Sequence, residues 1–467
     1  MSTGTIELSR ISKLFVDRDQ TTVGEALARR RNHRVTLVCG ADVERSYVLQ
    51  LAVMTAASLA NRCFPGAVRV ALDRTLADSH LLVWPTLDLT FAEALTRLAG
   101  ATALVGSEAS TEGTRTIVFG NATAPTGALR VTFDGWIAKT GPATTVARLP
   151  EREYCSLAGV LAAALAIAEL FFSFGEISVE ASRRRVALSL WRPDLDADEP
   201  AALGVPVQFL PGDMWTLGLG HLGNAYLWSI ATLPYADPGA VELFLVDFDR
   251  VAAENADTGI LFASGDVGQY KTRTCAAWLE ERGFRTRLVE RALDENFRCR
   301  ENEPRLALCG FDSNPARRHL PTANFLRVIE SGLGGTAHNF DTISMHTLPN
   351  PRSAEELWPD VAEVDREKEH AQRTRVANEN AAYLALGADD CGRYNLAGQS
   401  VAVPFVGAAA STLVVAEVLR LLHGGPSYAT FRMGLAAPAG RTRQAGGNYT
   451  AVDFAGLNYC EGRQLQG

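Results

Sequence analysis

The chain has 467 residues, 47% hydrophobic and 21% charged, with a formal net charge of −8 and a pI near 5.6. This length predicts two to three domains, each large enough for its own core, and the acidic balance argues against a general polyanion-binding surface, so no nucleic-acid partner is expected. The first residues, MSTGTIELSRISK, lack a signal-peptide pattern, and the most apolar run, Leu157–Phe172, contains Glu169 and is short for a bilayer. The expected setting is the cytoplasm, without membrane contact. Eight scattered cysteines with no CxxC pair argue against a disulfide framework or a four-cysteine zinc site.

In chain order, a polar, Arg-rich start holds a short helix around Val23–Arg31. Strands are predicted at Arg34–Cys39, Ala67–Leu72, Thr102–Val105, Thr116–Gly120 and Leu129–Phe133, and helices at Tyr47–Ala60 and Leu157–Phe171. Alternating strands and helices indicate an α/β domain with a largely parallel sheet. A β-rich run, Arg185–Trp191, precedes a Pro/Asp-rich linker, Arg192–Pro200. The second half then restarts as strand, glycine turn and helix at Trp215–Asn224, followed by strands at Val241–Asp249 and Arg305–Cys309.

The two halves repeat one another. At an offset of 248 residues Gly159 meets Gly407, Leu165 meets Leu413, Ala168 meets Ala416 and Glu169 meets Glu417. Upstream, Leu129-Arg130-Val131 echoes Leu326-Arg327-Val328 at an offset of 197, so 51 residues are extra in the second half. In the first half Gly40 keeps a turn, but Ala41-Asp42-Val43-Glu44 follows it. A carboxylate there repels phosphate, which marks this copy as catalytically dead.

The second half carries the chemistry. Gly218 allows a tight turn, Gly220 lets backbone N–H groups approach a phosphate, and Gly223 lets the following helix pack close. Asp247, 24 residues after Gly223 at a strand tip, can accept from ribose hydroxyls. Taken alone, the glycine pattern fits a dinucleotide site. Lys271 and Asp312 point instead to ATP cleavage, which needs cationic charge on the phosphates and a carboxylate for Mg²⁺.

As a set, these residues resemble the ubiquitin-activating (E1) and ThiF/MoeB superfamily of adenylating enzymes. The matching segments are Gly218/Gly220/Gly223, Asp247-Phe248-Asp249, Glu254–Gly259, Asp266–Lys271, Asp312-Ser313-Asn314 and Val328–Gly332. The spacings from Asp247 to Asn255 (8) and to Lys271 (24) also agree, and the resemblance covers about residues 210–425. It implies that Asp247 holds the ribose, that Asn255 and Lys271 contact the phosphates, and that Asp312 ligates Mg²⁺, with Asp249 in the same nucleotide site. One position departs: the family's arginine is Thr258 here. In the family an arginine commonly arrives from the paired domain, which makes Arg18 and the Arg29–Arg31 cluster candidates.

The resemblance implies two Rossmann-like adenylation domains in one α/β chain, an inactive one over 1–190 and an active one over 211–345 and 401–435. Residues 191–210 form the linker, 346–400 a crossover insertion carrying the catalytic cysteine, and 436–467 a C-terminal tail. The two domains would pair as an intramolecular pseudodimer. Thioester-forming members place a cysteine in the crossover, where a charged stretch with a helix near Ala362–Leu386 leads to Asp389-Asp390-Cys391. The inactive-then-active order looks most like the E1-like component of bacterial ubiquitin-like conjugation operons, implicated in antiviral defence. The implied activity is Mg·ATP-dependent adenylation of the C-terminal glycine of a ubiquitin-like protein, then a Cys391 thioester passed to an E2-like protein. The alternatives are a ThiF/MoeB-type adenylyltransferase serving sulfur transfer or peptide modification without an enzyme thioester, an NAD-dependent oxidoreductase, and a non-catalytic binding module.

Overall fold

A computed structural model describes residues 8–66, 68–106, 113–360, 363–385 and 390–465. In chain order the first half contains helices α1 (Arg10–Asp19) and α2 (Val23–Arg31), strand β1 (Val35–Cys39), helix α3 (Tyr47–Cys63), strand β2 (Val68–Leu72), and helices α4 (Arg74–Asp78) and α5 (Phe91–Ala99). Strands β3 (Thr102–Val105), β4 (Arg115–Phe119), β5 (Leu129–Asp134) and β6 (Ile137–Pro142), helix α6 (Leu157–Phe174) and strand β7 (Val186–Ser189) complete it. Its sheet has the order β3-β2-β1-β4-β5-β6-β7, parallel from β3 through β5 and antiparallel for the last two.

The second half begins with β8 (Phe209–Pro211) and β9 (Met214–Leu217), α7 (His221–Ala231), β10 (Glu242–Val246), α8 (Ala253–Thr258) and α9 (Lys271–Glu280). It continues with β11 (Arg285–Val289), β12 (Leu306–Cys309), α10 (Asn314–Arg317), β13 (Arg327–Leu333) and β14 (Thr342–Leu348). Helices α11 (Ala354–Leu357), α12 (Glu363–Glu379), α13 (Ala381–Leu384) and α14 (Asp390–Gly398) then lead to α15 (Pro404–Leu422) and strands β15 (Pro426–Gly434), β16 (Thr442–Asn448) and β17 (Tyr459–Glu461). The sheet order is β11-β10-β9-β12-β13-β14-β15-β16. Strand for strand, the first seven of these repeat the first sheet, including the switch from parallel to antiparallel after the fifth.

The weak sequence repeat therefore has a structural basis, and its two matched glutamates do the same work. Glu169, buried in α6, accepts from the Ser182 N–H and from Arg184, each at 2.8 Å. Glu417, buried in α15, accepts from the Tyr428 N–H at 3.1 Å and the Tyr449 hydroxyl at 2.5 Å, and pairs with Arg420. Each closes the end of a buried helix onto the chain that follows it. A carboxylate taken out of water is tolerated only when its oxygens are filled in this way.

Helices α6 and α15 are long and apolar enough to cross a membrane, but 94% and 100% of their apolar windows are buried inside the protein. They form the seam between the halves, where Phe405 packs on Phe171 and Phe172 with ring centroids 5.3 and 5.6 Å apart. Around the seam the halves exchange hydrogen bonds: Trp84 Nε1 to the Ala231 carbonyl, Trp228 Nε1 to Thr55, and the Tyr47 hydroxyl to the Thr232 carbonyl. Arg62 of the first half donates to the carbonyls of Gly259, Ile260 and Phe262, fixing the turn that follows α8.

Three features were not expected from the sequence. Helix α1 precedes the one expected at 23–31; Ser9 caps it and Ile11, Leu14 and Phe15 are buried. The Arg192–Pro200 segment is pinned at Asp194, whose side chain is buried and pairs with Arg192 and Arg443 while accepting from the Tyr428 hydroxyl. Residues read as a tail supply β16 at the edge of the second sheet and β17, which pairs with β8.

Candidate functional site

A cavity of about 1040 Å³ opens at the carboxyl ends of β9, β10 and β12, where open α/β sheets bind ligands. Its floor is the glycine loop. Gly218 has φ +80°, a conformation that disfavours side chains, and a Cβ there would also strike Phe311. A Cβ at Gly223 would sit 1.8 Å from the Gly218 carbonyl oxygen, whereas at Gly220 it would meet nothing within 4 Å. The three glycines thus have different jobs: a turn, an open approach and a close contact. The N–H groups in the first turn of α7 have no intrahelical acceptor and lie at the positive end of the helix dipole, an arrangement suited to phosphate. Gly223→Ala is expected to destabilise the fold by about 3 kcal/mol through this backbone clash. That corresponds to a melting temperature roughly 6–12 °C lower in thermal denaturation.

Asp247, at the tip of β10, accepts from the Leu219 N–H at 2.7 Å and the Asp249 N–H at 2.8 Å. These bonds aim its carboxylate across the glycine loop. Burial raises its pKa, and Lys271 and the two N–H donors oppose that rise. Lys271 is buried at the start of α9, its Nζ 2.9 Å from Asp249 Oδ2. Asn255 lines the cavity with its Oδ1 accepting from the Ala252 N–H at 2.9 Å, which leaves the amide NH₂ as its donor. Asp312 is exposed on the opposite rim, just past β12. All the nucleotide-site residues expected from the sequence, Gly218, Gly220, Asp247, Asp249, Asn255, Lys271 and Asp312, line this one cavity, with Gly223 behind the loop.

None of the arginines expected to stand in for the family's arginine lines the cavity. Thr258 is buried and its hydroxyl bonds back to the Glu254 carbonyl at 3.2 Å. Arg18 and Arg29 pair with Asp19, Arg30 is buried against the Cys63 and Arg62 carbonyls, and Arg31 is exposed; none lines the cavity. Arg10, at the start of α1, does line it. Its Nε donates to the Ser400 carbonyl at 2.9 Å and its Nη2 to the Ser400 hydroxyl. Burial lowers the Arg10 pKa, while Asp312 and Glu254 support its charge. The first half therefore places a guanidinium in the second half's site. The helical spacing of the buried Ile11, Leu14 and Phe15 is the signal that could have found α1, but nothing local shows that its first turn reaches the other half.

Phe248 lines the cavity beside Asp247, as do Arg291–Leu293 beyond β11, and is 58% exposed, an unusual state for a large aromatic ring. His221, in the glycine loop, is pushed down to about 3 by burial and by Arg10, so its imidazole is neutral.

Cys391 lies outside the cavity. It is in the first turn of α14, seven residues before Gly398, which does line the cavity. At 1.5 Å per residue that places it about 10 Å away along the helix axis. Helix α14 packs on α12, with Arg373 donating to the Tyr394 carbonyl at 2.9 Å, and Arg393 pairs with Asp390. Neighbouring Asp389 lies outside the described residues. Among the described cysteines Cys391 alone is exposed. Burial pushes the Cys309 thiol up to about 12 and the half-buried Cys460 up to about 11.

Sequence comparison agrees with this division into halves. A family model for the BilD N-terminal domain matches residues 34–190, and one for the BilD C-terminal domain matches residues 210–425. The bacterial E1-like protein BilD of Collimonas sp. (strain OK412) is 34% identical over 440 residues, covering 90% of each chain. Among solved structures, Escherichia coli MccB is 14% identical over 55% of this chain and 67% of its own, with a TM-score of 0.34. The E. coli tRNA N6-threonylcarbamoyladenosine dehydratase TcdA is 16% identical over 45% of this chain and 86% of its own, with a TM-score of 0.30. This chain belongs to the BilD family of bacterial E1-like proteins.

Proposed function

We propose that this chain uses Mg·ATP to adenylate the C-terminal glycine of a ubiquitin-like protein and then carries the acyl group as a thioester on Cys391 for an E2-like partner. The observation that carries the first step is the convergence of Arg10, Lys271, Asn255, Asp247 and Asp312 on one glycine-floored cavity. A hydride-transfer site has no need of this many cations and anion donors around a phosphate loop.

The chemistry follows from the parts. A carboxylate is a poor electrophile, because its leaving group would be oxide. Attack of its oxygen on the α-phosphorus of ATP forms an acyl–O–P bond, breaks the bond to the β-phosphate and releases pyrophosphate. The α7 N-terminus, Lys271, Asn255 and Arg10 would face the negative charge that spreads over the phosphates. Asp247 would hold the ribose, and Phe248 with the Arg291–Leu293 segment would flank the base. Among the described residues no cluster of three or more His, Cys, Asp or Glu is placed to hold a metal. This suits magnesium, which keeps waters and binds through one or two carboxylates plus substrate phosphates. Asp312, a hard oxygen donor on the cavity rim, would hold it, and the ion would supply charge neutralisation on the phosphates.

A second cavity, about 620 Å³, shares Gly335, Gly398 and Ser400 with the first. This supports entry of an extended C-terminal tail beneath the crossover, where two glycines at the junction suit a tail ending without bulky side chains. In the second step the thiolate of Cys391 attacks the acyl carbon, a C–S bond forms, and AMP leaves. The position of Cys391 outside the cavity favours one alternative enough to keep it in view: an adenylyltransferase serving sulfur transfer or peptide modification without an enzyme thioester.

In the first half, Asp42 occupies the turn after β1, accepts from the Asn121 N–H at 2.9 Å and pairs with Arg148. A carboxylate so held supports an inactive copy, paired with the active half as a pseudodimer. The family likeness supports a cytoplasmic setting, within a bacterial conjugation pathway for antiviral defence. Asp312→Ala is expected to lower ATP–pyrophosphate exchange by about 10²–10³-fold. Intact turnover in that variant would remove Asp312 from the site.

A further inference from the structure

Behind the rim that carries Asp312 lies a buried ionic relay. Glu330 of β13 has 0% of its side chain exposed. Its Oε1 is 2.8 Å from Arg317 Nε, and its Oε2 is 2.7 Å from Nδ1 of His346, its cross-strand partner on β14. Arg317, with 11% of its side chain exposed where it reaches the cavity wall, lies against Gly332, where a Cβ would crowd the guanidinium at 3.1–3.5 Å. From that seat Nη1 donates to Asn314 Oδ1 at 3.1 Å and Nη2 donates to the Phe311 carbonyl. The Arg317 N–H also donates to the Ser313 carbonyl at 3.2 Å. One side chain thereby grips the loop on both sides of Asp312, whereas Asp312 itself is exposed.

We infer that Arg317, locked by Glu330, is a positioning residue that fixes the Asp312 loop for the metal–nucleotide complex; this rests on the assignment of Asp312 to magnesium. Three features carry it. The charge of Arg317 is matched by Glu330 within contact distance, so it is poorly suited to serve as the free cation for phosphate, a task that Arg10 is placed to perform. Its donors point to the two residues that flank Asp312-Ser313, not across the cavity. A carboxylate with no solvent contact is costly unless it is paired. Glu330 bonds to His346 through Oε2 and sits in ion contact with Arg317 through Oε1, close to Nε but not aligned with it as a hydrogen bond, so its charge is set against one specific guanidinium. Groups behind a metal ligand orient it, and losing them commonly weakens metal binding about 10–100-fold.

The test uses the full chain and Mn²⁺ as the probe. Mn²⁺ binding in the presence of ATP is followed by electron paramagnetic resonance, and metal-free ATP binding by calorimetry, for Glu330→Gln, Arg317→Lys and Asp312→Ala. Lysine keeps the charge of Arg317 but cannot span the Phe311 carbonyl, Asn314 and Glu330 together. The expected result for Glu330→Gln and Arg317→Lys is Mn²⁺ affinity about tenfold or more below wild type, with metal-free ATP affinity unchanged within about twofold. If Glu330→Gln does not fold, Arg317→Lys decides. Wild-type Mn²⁺ affinity in folded Arg317→Lys, with Asp312→Ala impaired, overturns the relay alone. Wild-type Mn²⁺ affinity in Asp312→Ala overturns the magnesium assignment beneath it.

Discussion

Arg10→Ala is expected to lower ATP–pyrophosphate exchange by about 10²–10³-fold, comparable to removing one transition-state donor from a closed site. The reason is electrostatic. Thr258 is buried and neutral, and Arg10 is the cavity cation that the first half contributes, its charge supported by Asp312 and Glu254. Losing it leaves those carboxylates beside incoming phosphates with less to offset them. Arg10→Lys restores the charge but not the fork that holds Ser400 through Nε and Nη2, so partial recovery is expected, to roughly tenfold below wild type. The fold should survive both changes, because Arg10 is the first residue of α1 and the buried face of that helix is carried by Ile11, Leu14 and Phe15. Unchanged circular dichroism together with lost exchange is the expected pair of results. Wild-type exchange in Arg10→Ala would mean that the first half lends nothing to the reaction.

Cys391→Ala should separate the two steps. Exchange is expected within about twofold of wild type, because Cys391 does not line the cavity, while the thiol-sensitive adduct with the ubiquitin-like protein disappears entirely. Reaction needs the sulfur within about 3–3.5 Å of the acyl carbon. From the first turn of α14 that requires the helix to leave its seat. Lys13 donates to the Ala397 carbonyl of α14 at 3.2 Å and Arg373 of α12 to its Tyr394 carbonyl at 2.9 Å, while neighbouring α13 is held to α1 by Lys13 on the Tyr383 hydroxyl at 2.7 Å and by Asn380 on the Val16 carbonyl at 3.1 Å. An adduct that persists in Cys391→Ala would reject Cys391 as nucleophile. Loss of exchange in the same variant would show a structural role instead.

What the sequence revealed was local. The glycine turn, the strand-tip acids and the lysine opening α9 are each fixed by a short stretch of chain, and all of them meet in one cavity. The repeat was legible for a similar reason, since Glu169 and Glu417 each bond chain that follows shortly after their own helix. Long-range placement was not legible. Arg18 and Arg29 pair with Asp19, Arg30 packs inward and Arg31 is exposed, whereas Arg10, in the first turn of α1, lines the cavity. The distance from Cys391 to the cavity depends on how α14 docks on α12, which no motif encodes. Strand β16, TRQAGGN, is exposed along its length, so it carries none of the apolar alternation that announces a strand.

The central claim is that the cavity splits ATP to activate a C-terminal carboxylate. The direct measurement is exchange of labelled pyrophosphate into ATP by the wild-type protein with Mg²⁺ and a ubiquitin-like protein ending in glycine, against the same protein with its C-terminal carboxylate amidated. Exchange with the free carboxylate and none with the amide is the predicted result. Equal exchange with both, or none with either, would contradict it.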